Sequence, residues 1–275
     1  MHYEQSTWRV IEHPPARGAW NMAVDEAILE SVYLGDSKPT LRLYAWQPAC
    51  LSLGLAQPFA EVNTQTLAGM GWDVVRRPTG GRAILHVDEL TYAVIAPETE
   101  PRVAGGVLAS YLRLSKALLE ALRLIGLCPE ANEKDPDKKS DKPNPVCFEV
   151  PSNYEITVNE RKLIGSAQAR RKEGVLQHGA LPLYGDLTRV IDALRFKDES
   201  TAEKARDRLL AHATTVEREL GAAPSLNEAI QAFIQAFQQT LNLQLQSGEL
   251  STTERYRAEE LMEEKYAHPS WTERI

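Results

Sequence analysis

The sequence predicts an α+β fold, and three observations lead there. Strand-like runs gather in two stretches, residues 40–96 and 150–183, instead of recurring at even intervals. The long apolar stripes of helical spacing fall outside those stretches. No internal repeat and no regular strand–helix–strand alternation connects them, so helices and strands are segregated. For 275 residues, surface scaling buries about 73% of the chain's area. That suffices for a single domain over 1–275 with a helical part from 188 onward.

The elements follow in order. Residues 7–12 read as a strand. Residues 18–32 read as a helix, because Trp20, Val24, Ala27 and Ile28 recur at i, i+4, i+7 and i+8. Asp25 and Glu26 are neighbours there, point to different faces, and read as solvated charge. Strands at 40–46 and 50–55 are divided by the Gln47-Pro48 turn. A helix over 59–68 precedes a strand at 72–77 and the turn Pro78-Thr79-Gly80-Gly81. Two more strands cover 82–86 and 89–96. The longest helix of this half covers 107–125, with Leu108, Tyr111, Leu112, Leu118, Leu119, Leu122 and Ile125 as its stripe.

Residues 131–146 are dense in charge and proline with little to bury, and read as a long mobile loop. From Tyr154 the period becomes two, with a turn at Asn159-Glu160. The next strand then places Lys162, Ile164, Ser166 and Gln168 on one face, and Leu163, Gly165 and Ala167 on the other. A third strand covers 174–183. Leu226, Ile230, Phe233, Ile234 and Phe237 mark another helix, and 251–267 is charged and helical.

The chain carries 31 basic and 38 acidic side chains, a net charge of −7, which makes it a poor general nucleic-acid binder. Two stretches, 75–82 and 161–172, are basic and contain no acid. They read as solvated strand ends, or as places for a phosphate or an acidic partner. No apolar run approaches the ~20 residues of a membrane helix, and residues 1–30 hold no stretch of signal-peptide type. Cys50, Cys128 and Cys147 are odd in number and lack CxxC spacing, which argues against a disulfide framework or a zinc site. The expectation is a cytoplasmic protein with free thiols, no metal, no membrane contact and no nucleic-acid partner.

Few residues carry chemistry by context alone. Cys147 follows the charged loop and precedes basic Arg161 and Lys162, so it reads either as a nucleophile or as an inert buried thiol. Cys50 and Cys128 sit in apolar contexts and fit the inert reading. The pair Gly80-Gly81, flanked by Arg77 and Arg82, allows close backbone approach to a ligand, or forms a plain hairpin turn. His86 and His178 show no Asp partner in the sequence and read as structural histidines before bases. Lys162, taken alone, reads as a surface lysine near small Gly165, Ser166 and Ala167.

Taken together, several ordered motifs say more. Arg76-Arg77-Pro78-Thr79-Gly80-Gly81-Arg82, Glu89-Leu90-Thr91-Tyr92, Cys147-Phe148, Pro151-Ser152-Asn153-Tyr154-Glu155, Arg161-Lys162-Leu163-Ile164-Gly165-Ser166-Ala167-Gln168 and Leu176-Gln177-His178-Gly179 resemble the lipoate-attachment superfamily. That superfamily joins lipoate–protein ligases, octanoyltransferases and the biotin ligase catalytic domain. The likeness is greatest to octanoyl-[acyl-carrier-protein]:protein N-octanoyltransferases of the LipM type, and it runs nearly the whole chain. It implies a mixed β-sheet with flanking helices, the biotin/lipoate protein ligase-like catalytic fold, and an acyl tunnel. By the same resemblance Cys147 is the catalytic nucleophile and Lys162 contacts the acyl carbonyl. Arg77, Thr79, Gly80, Gly81, His86, Ser166, Ala167 and His178 bind substrate, with Arg76, Arg77 and Arg82 near the entrance. Val87 departs from the pattern, standing where the family commonly has Asp.

The activity implied is transfer of octanoate from octanoyl-acyl carrier protein, through a cysteine thioester, to a lysine. That lysine would lie on glycine cleavage H protein or on a lipoyl domain of a 2-oxoacid dehydrogenase. The phosphopantetheine thioester is substrate, and no resident cofactor is expected. The alternatives are an ATP-dependent lipoate–protein ligase, an octanoyl amidotransferase between lipoyl proteins, and a silent scaffold that binds lipoyl domains.

Overall fold

The computed structural model describes residues 3–133 and 154–275. In chain order it contains β1 (Ser6–Glu12), α1 (Gly18–Leu34), β2 (Thr40–Tyr44), β3 (Cys50–Leu53), α2 (Thr64–Met70), β4 (Asp73–Arg76), β5 (Ile84–His86), β6 (Glu89–Ala96) and α3 (Val107–Ile125). There follow β7 (Glu130–Glu133), β8 (Tyr154–Val158), β9 (Arg161–Arg171), β10 (Gly174–Pro182), α4 (Arg189–Asp192), α5 (Glu199–His212), α6 (Val216–Leu220), α7 (Leu226–Leu241), β11 (Leu243–Ser247), α8 (Thr252–Leu261) and α9 (Pro269–Thr272). The main sheet runs β11-β1-β2-β6-β10-β9-β8-β7, and a small sheet runs β4-β3-β5. Both are mixed: β1 lies parallel to β11 and β2, β4 lies parallel to β3, and the other pairs are antiparallel.

Strand β6 is buried throughout, because helices cover both faces of the sheet around it. Leu90, Tyr92, Val94 and Ala96 pack with residues of α3 and α7, including Leu118, Phe233 and Phe237. Ala93 and Ile95 face the opposite way, onto Ala23, Ala27 and Ile28 of α1. A separate core joins the small sheet to α4 and α5 through Leu51, Leu53, Val190 and Leu209.

Helix α1 lies between the sheet and α8, so its charges are not solvated as the sequence suggests. Asp25 is fully buried and Glu26 nearly so. Glu26 is held by Lys265 at 2.6 Å and by the Tyr266 hydroxyl. In α3 the seam is made by Leu114, Ala117, Leu118, Ala121 and Leu122, while Leu108 is exposed. Small alanines in that seam let α7 approach closely, which an all-leucine stripe would prevent. The expected helix over 59–68 is a 3₁₀ turn at Phe59–Glu61 followed by α2, because the Asn63 side chain accepts from Thr66 N and starts a new helix.

Three further differences bear on the site. Residues 131–133 belong to edge strand β7, paired with β8, and the rest of the expected loop lies outside the described residues. The C-terminal part contains strand β11, paired with β1, which two leucines among polar residues did not announce. Finally, β9 carries a bulge: Ile156 opposes Ile164 while Thr157 opposes Lys162, so β9 has one residue more than β8. Ile156 and Ile164 face the main core, so Lys162 turns to the other face. It joins Gly165 and Ala167 there and parts from Ser166 and Gln168.

Candidate active site

Between the small sheet and the α1 face of the main sheet lies a cavity that opens to solvent and encloses ≈ 430 Å³ of atom-free space, part of it open solvent. Met22, Trp46, Ile84, Ala167 and Ala180 give it apolar walls, with Gly81, Gly165 and Gly179 beside them. Its polar groups are Ser52, Arg77, His86, Thr91 and His178.

The floor is shaped by glycines. A Cβ on Gly54 would lie 1.9 Å from the Gly81 carbonyl oxygen, so only glycine lets the end of β3 meet the 78–82 turn. A Cβ on Gly179 would lie 2.6 Å from Ser166 Oγ and 2.7 Å from Tyr92 Cε1. Tyr92, Gly179 and Ser166 form one row across β6, β10 and β9. With no side chain in the middle, the Tyr92 hydroxyl reaches Ser166 Oγ at 2.7 Å. Ser166 therefore borders the cavity while its hydroxyl points to the opposite face of the sheet.

Arg76 and Arg77 act as structural staples. Arg76 is fully buried and donates to the carbonyls of Gly54, Gln57 and Thr272 at 2.9, 2.6 and 2.8 Å. Arg77 donates to the carbonyls of Ser52, Gly80 and Arg82 at 2.9, 2.8 and 2.7 Å, which fixes the glycine turn. Arg82 keeps partial exposure, 3.8 Å from Glu61. The basic stretch 161–172 is likewise matched internally: Arg161 meets Glu219, Arg170 meets Glu98, and Arg171 meets Glu26.

Two histidines face the cavity, each on a chain of hydrogen bonds. His178 Nε2 lies 2.6 Å from Thr79 Oγ1, and its Nδ1 lies 3.5 Å from Asp25 Oδ2. Burial pushes the affinity of His178 for a proton below the usual value, against the pull of Asp25. The ring is thus neutral, donating from Nδ1 to Asp25 and accepting from Thr79. Burial alone would raise the Asp25 pKa, but Arg42 and His178 more than offset it, so the carboxyl stays below its usual range. His86 Nε2 lies 2.7 Å from Ser52 Oγ, and its Nδ1 lies 2.7 Å from Glu89 Oε1. Trp46 stacks on the His86 ring at 4.0 Å.

The expected site residues divide accordingly. Arg77, Gly81, His86, Ser166, Ala167 and His178 border the cavity. Thr79 stands behind His178, and Gly80 is an exposed turn residue whose carbonyl accepts from Arg77. Lys162 is buried on the cavity side of β9, its Nζ 3.5 Å from Glu155. Cys147 lies outside the described residues. Cys50 is buried, which pushes its thiol well above the usual value, whereas Cys128 is exposed, contrary to its apolar context.

Sequence reasoning missed the histidines' carboxylates, Asp25 and Glu89, and also Ser52. One signal was present: Arg42 sits in the middle of an apolar strand, and a buried guanidinium requires a buried counter-charge. Among the described residues, no group of three or more His, Cys, Asp and Glu side chains could hold a metal ion. Nor is any of their helices long and apolar enough to cross a membrane.

Comparison with known proteins places the chain in a family. Residues 17–238 match the lipoyl protein ligase A/B catalytic domain. Octanoyltransferase LipM of Carboxydothermus hydrogenoformans is 40% identical over 266 residues, covering 96% of this chain and 98% of that protein. Octanoyltransferase LipM of Anoxybacillus flavithermus is 37% identical over 273 residues, covering 98% of each. Among solved structures, a bi-partite lipoate protein ligase from Thermoplasma acidophilum, studied with its E2 lipoyl domain, superposes with a TM-score of 0.81. It is 25% identical and covers 97% of this chain and 96% of that one. By sequence and fold, the chain belongs to the lipoyl protein ligase A/B catalytic-domain family, and within it to the LipM octanoyltransferases.

Proposed function

We propose that this chain transfers an octanoyl group from octanoyl-acyl carrier protein to a lysine of a lipoyl domain or of glycine cleavage H protein, through a thioester on Cys147. The observation that carries the reading is the apolar cavity against the Gly165–Ala167 segment of β9, flanked by buried histidines. Apolar walls of this kind suit a short acyl chain. An acyl thioester already stores the free energy needed for amide formation, so the reaction requires no ATP.

Cys147 thiolate attacks the thioester carbonyl, a C–S bond forms, and phosphopantetheine thiol leaves with a proton. The acceptor amine then displaces Cys147 to give the amide. Lys162, turned to the cavity side by the bulge in β9, is suited to stabilise the oxyanion of either step. The likeness to a lipoate protein ligase structure favours one other reading, ATP-dependent attachment of a free acid.

The two separate cleanly. Purified protein is mixed with octanoyl-carrier protein without ATP, and intact masses are compared with those of Cys147→Ser. One octanoyl increment on the wild type, absent from the variant and discharged by a lipoyl domain, is the expected result. Absence of an adduct, with transfer appearing only when octanoate and ATP are supplied, would overturn the reading.

A further inference from the structure

The acceptor lysine arrives as an ammonium ion, since its unperturbed pKa is ~10.4, and cannot attack until it loses a proton. We propose that Ser52, His86 and Glu89 form the relay that accepts that proton. The inference rests on the transfer reading above and names the group that takes the proton in its second half.

The direction of the relay follows from two groups that can only donate. Arg77 Nη1 donates to Ser52 Oγ at 3.1 Å. Ser52 still has one hydroxyl hydrogen to give, and among the described residues its acceptor is His86 Nε2, 2.7 Å away. His86 carries its hydrogen on Nδ1 and donates to Glu89 Oε1 at 2.7 Å. From the other end, Trp46 Nε1 donates to Thr91 Oγ1 at 2.7 Å, and Thr91 donates to the same Glu89 oxygen at 2.6 Å. A carboxylate oxygen has lone pairs for both donors. The resting chain therefore has an acceptor nitrogen behind a serine hydroxyl at the cavity wall, backed by a negative charge.

Charge decides between the two histidines. Asp25, behind His178, is already neutralised by Arg42 at 2.7 Å, with both side chains fully buried. Glu89 has no lysine or arginine partner among the described residues, so its charge is available to an imidazolium on His86. The groups facing His86 are Glu89 from β6, Arg77 beyond Ser52, and His178 across the cavity. Trp46, stacked on the ring, keeps its Nε2 aimed at Ser52.

The step balances as follows. Ser52 passes its proton to His86 Nε2 and takes one from the ammonium, leaving a neutral amine. The amine forms the N–C bond as the C–S bond to the acyl-enzyme breaks. Its second proton leaves with the thiol, the amide keeps the third, and His86 returns its proton to solvent.

The test is a single turnover. Acyl-enzyme is formed from octanoyl-carrier protein on the wild type, Ser52→Ala and Glu89→Gln, then discharged by a lipoyl domain or by hydroxylamine, whose nitrogen is largely uncharged at neutral pH. The relay predicts that both variants form the adduct and respond to hydroxylamine as the wild type does. Transfer to the lipoyl-domain lysine slows by about 10²–10⁴-fold in Glu89→Gln, and slows likewise in Ser52→Ala. Lysine transfer at the wild-type rate, or equal slowing with both nucleophiles, overturns the relay. Ser52→Ala, a loss of one oxygen, carries the test if Glu89→Gln does not fold. A wild type that forms no adduct at all removes the transfer reading itself, which is a different result from an adduct that both variants discharge normally.

Discussion

Arg42 and Asp25 meet at 2.7 Å with neither side chain reaching solvent, and His13 and Asn21 accept from three more of the guanidinium N–H groups. The pair ties the middle of β2 to α1 directly behind His178. Removing one partner strands the other as an uncompensated buried charge. Arg42→Met is expected to cost about 3–5 kcal/mol, read as a lower urea midpoint at unchanged slope. Replacing both residues together should cost less than the sum of the single changes.

Acidification provides a second test. Burial and the neighbouring Arg42 push His13 down to about 4, and burial lowers His178 as well. In both cases the unfolded chain binds a proton that the folded protein refuses. This contribution to stability is present above the unfolded value of about 6.5 and is lost as pH falls towards the folded values. For Asp25, also lowered, the loss comes later, below the ordinary carboxylate range. Urea midpoints should fall between pH 6.5 and 4, and histidine NMR titrations should show His13 still neutral at pH 5.

Gly179→Ala is expected to destabilise without touching any charged group. The new methyl would meet Ser166 Oγ at 2.6 Å and the Gly165 carbonyl oxygen at 2.7 Å, and the latter, being backbone, cannot swing away. A cost of about 1–3 kcal/mol is the usual scale for overpacking. Melting temperature checks it, and the Tyr92→Phe change, which leaves the methyl's neighbours in place, should not relieve it.

Acyl-chain preference should respond to Ile84. This side chain borders the cavity and also a second hollow of ≈ 440 Å³ lined by Ala83, Leu85, Val87 and Leu209. Ile84→Ala joins the two spaces. The ratio of kcat/KM for a dodecanoyl over an octanoyl thioester should rise by about ten-fold or more, the scale of a few methylenes in an apolar pocket.

Much of the fold was legible because period and turn chemistry are local. Helix α3 spans the residues its stripe marks, and β6 and β10 lie where strands were expected. The site was legible through motifs, yet its working parts were hidden for physical reasons. Asp25 and His178 are 153 positions apart in the chain, and no local pattern links a helix acid to a strand imidazole. The bulge that turns Lys162 is one residue of register, invisible to a strict period of two. Arg76 and Arg77 look like a basic patch until the carbonyls they bind are seen, because backbone acceptors leave no mark on composition.

The order of the main sheet also constrains how the protein is made. Strand β1, near residue 6, is flanked on one side by β11, which ends at Ser247. A ribosome delivers the first of these long before the second. Through most of translation β1 has an open hydrogen-bonding edge, the kind of surface that recruits stray strands. The nascent chain is therefore open to mispairing along that edge until β11 emerges, and a chaperone that shields the edge during synthesis would raise the yield of native protein.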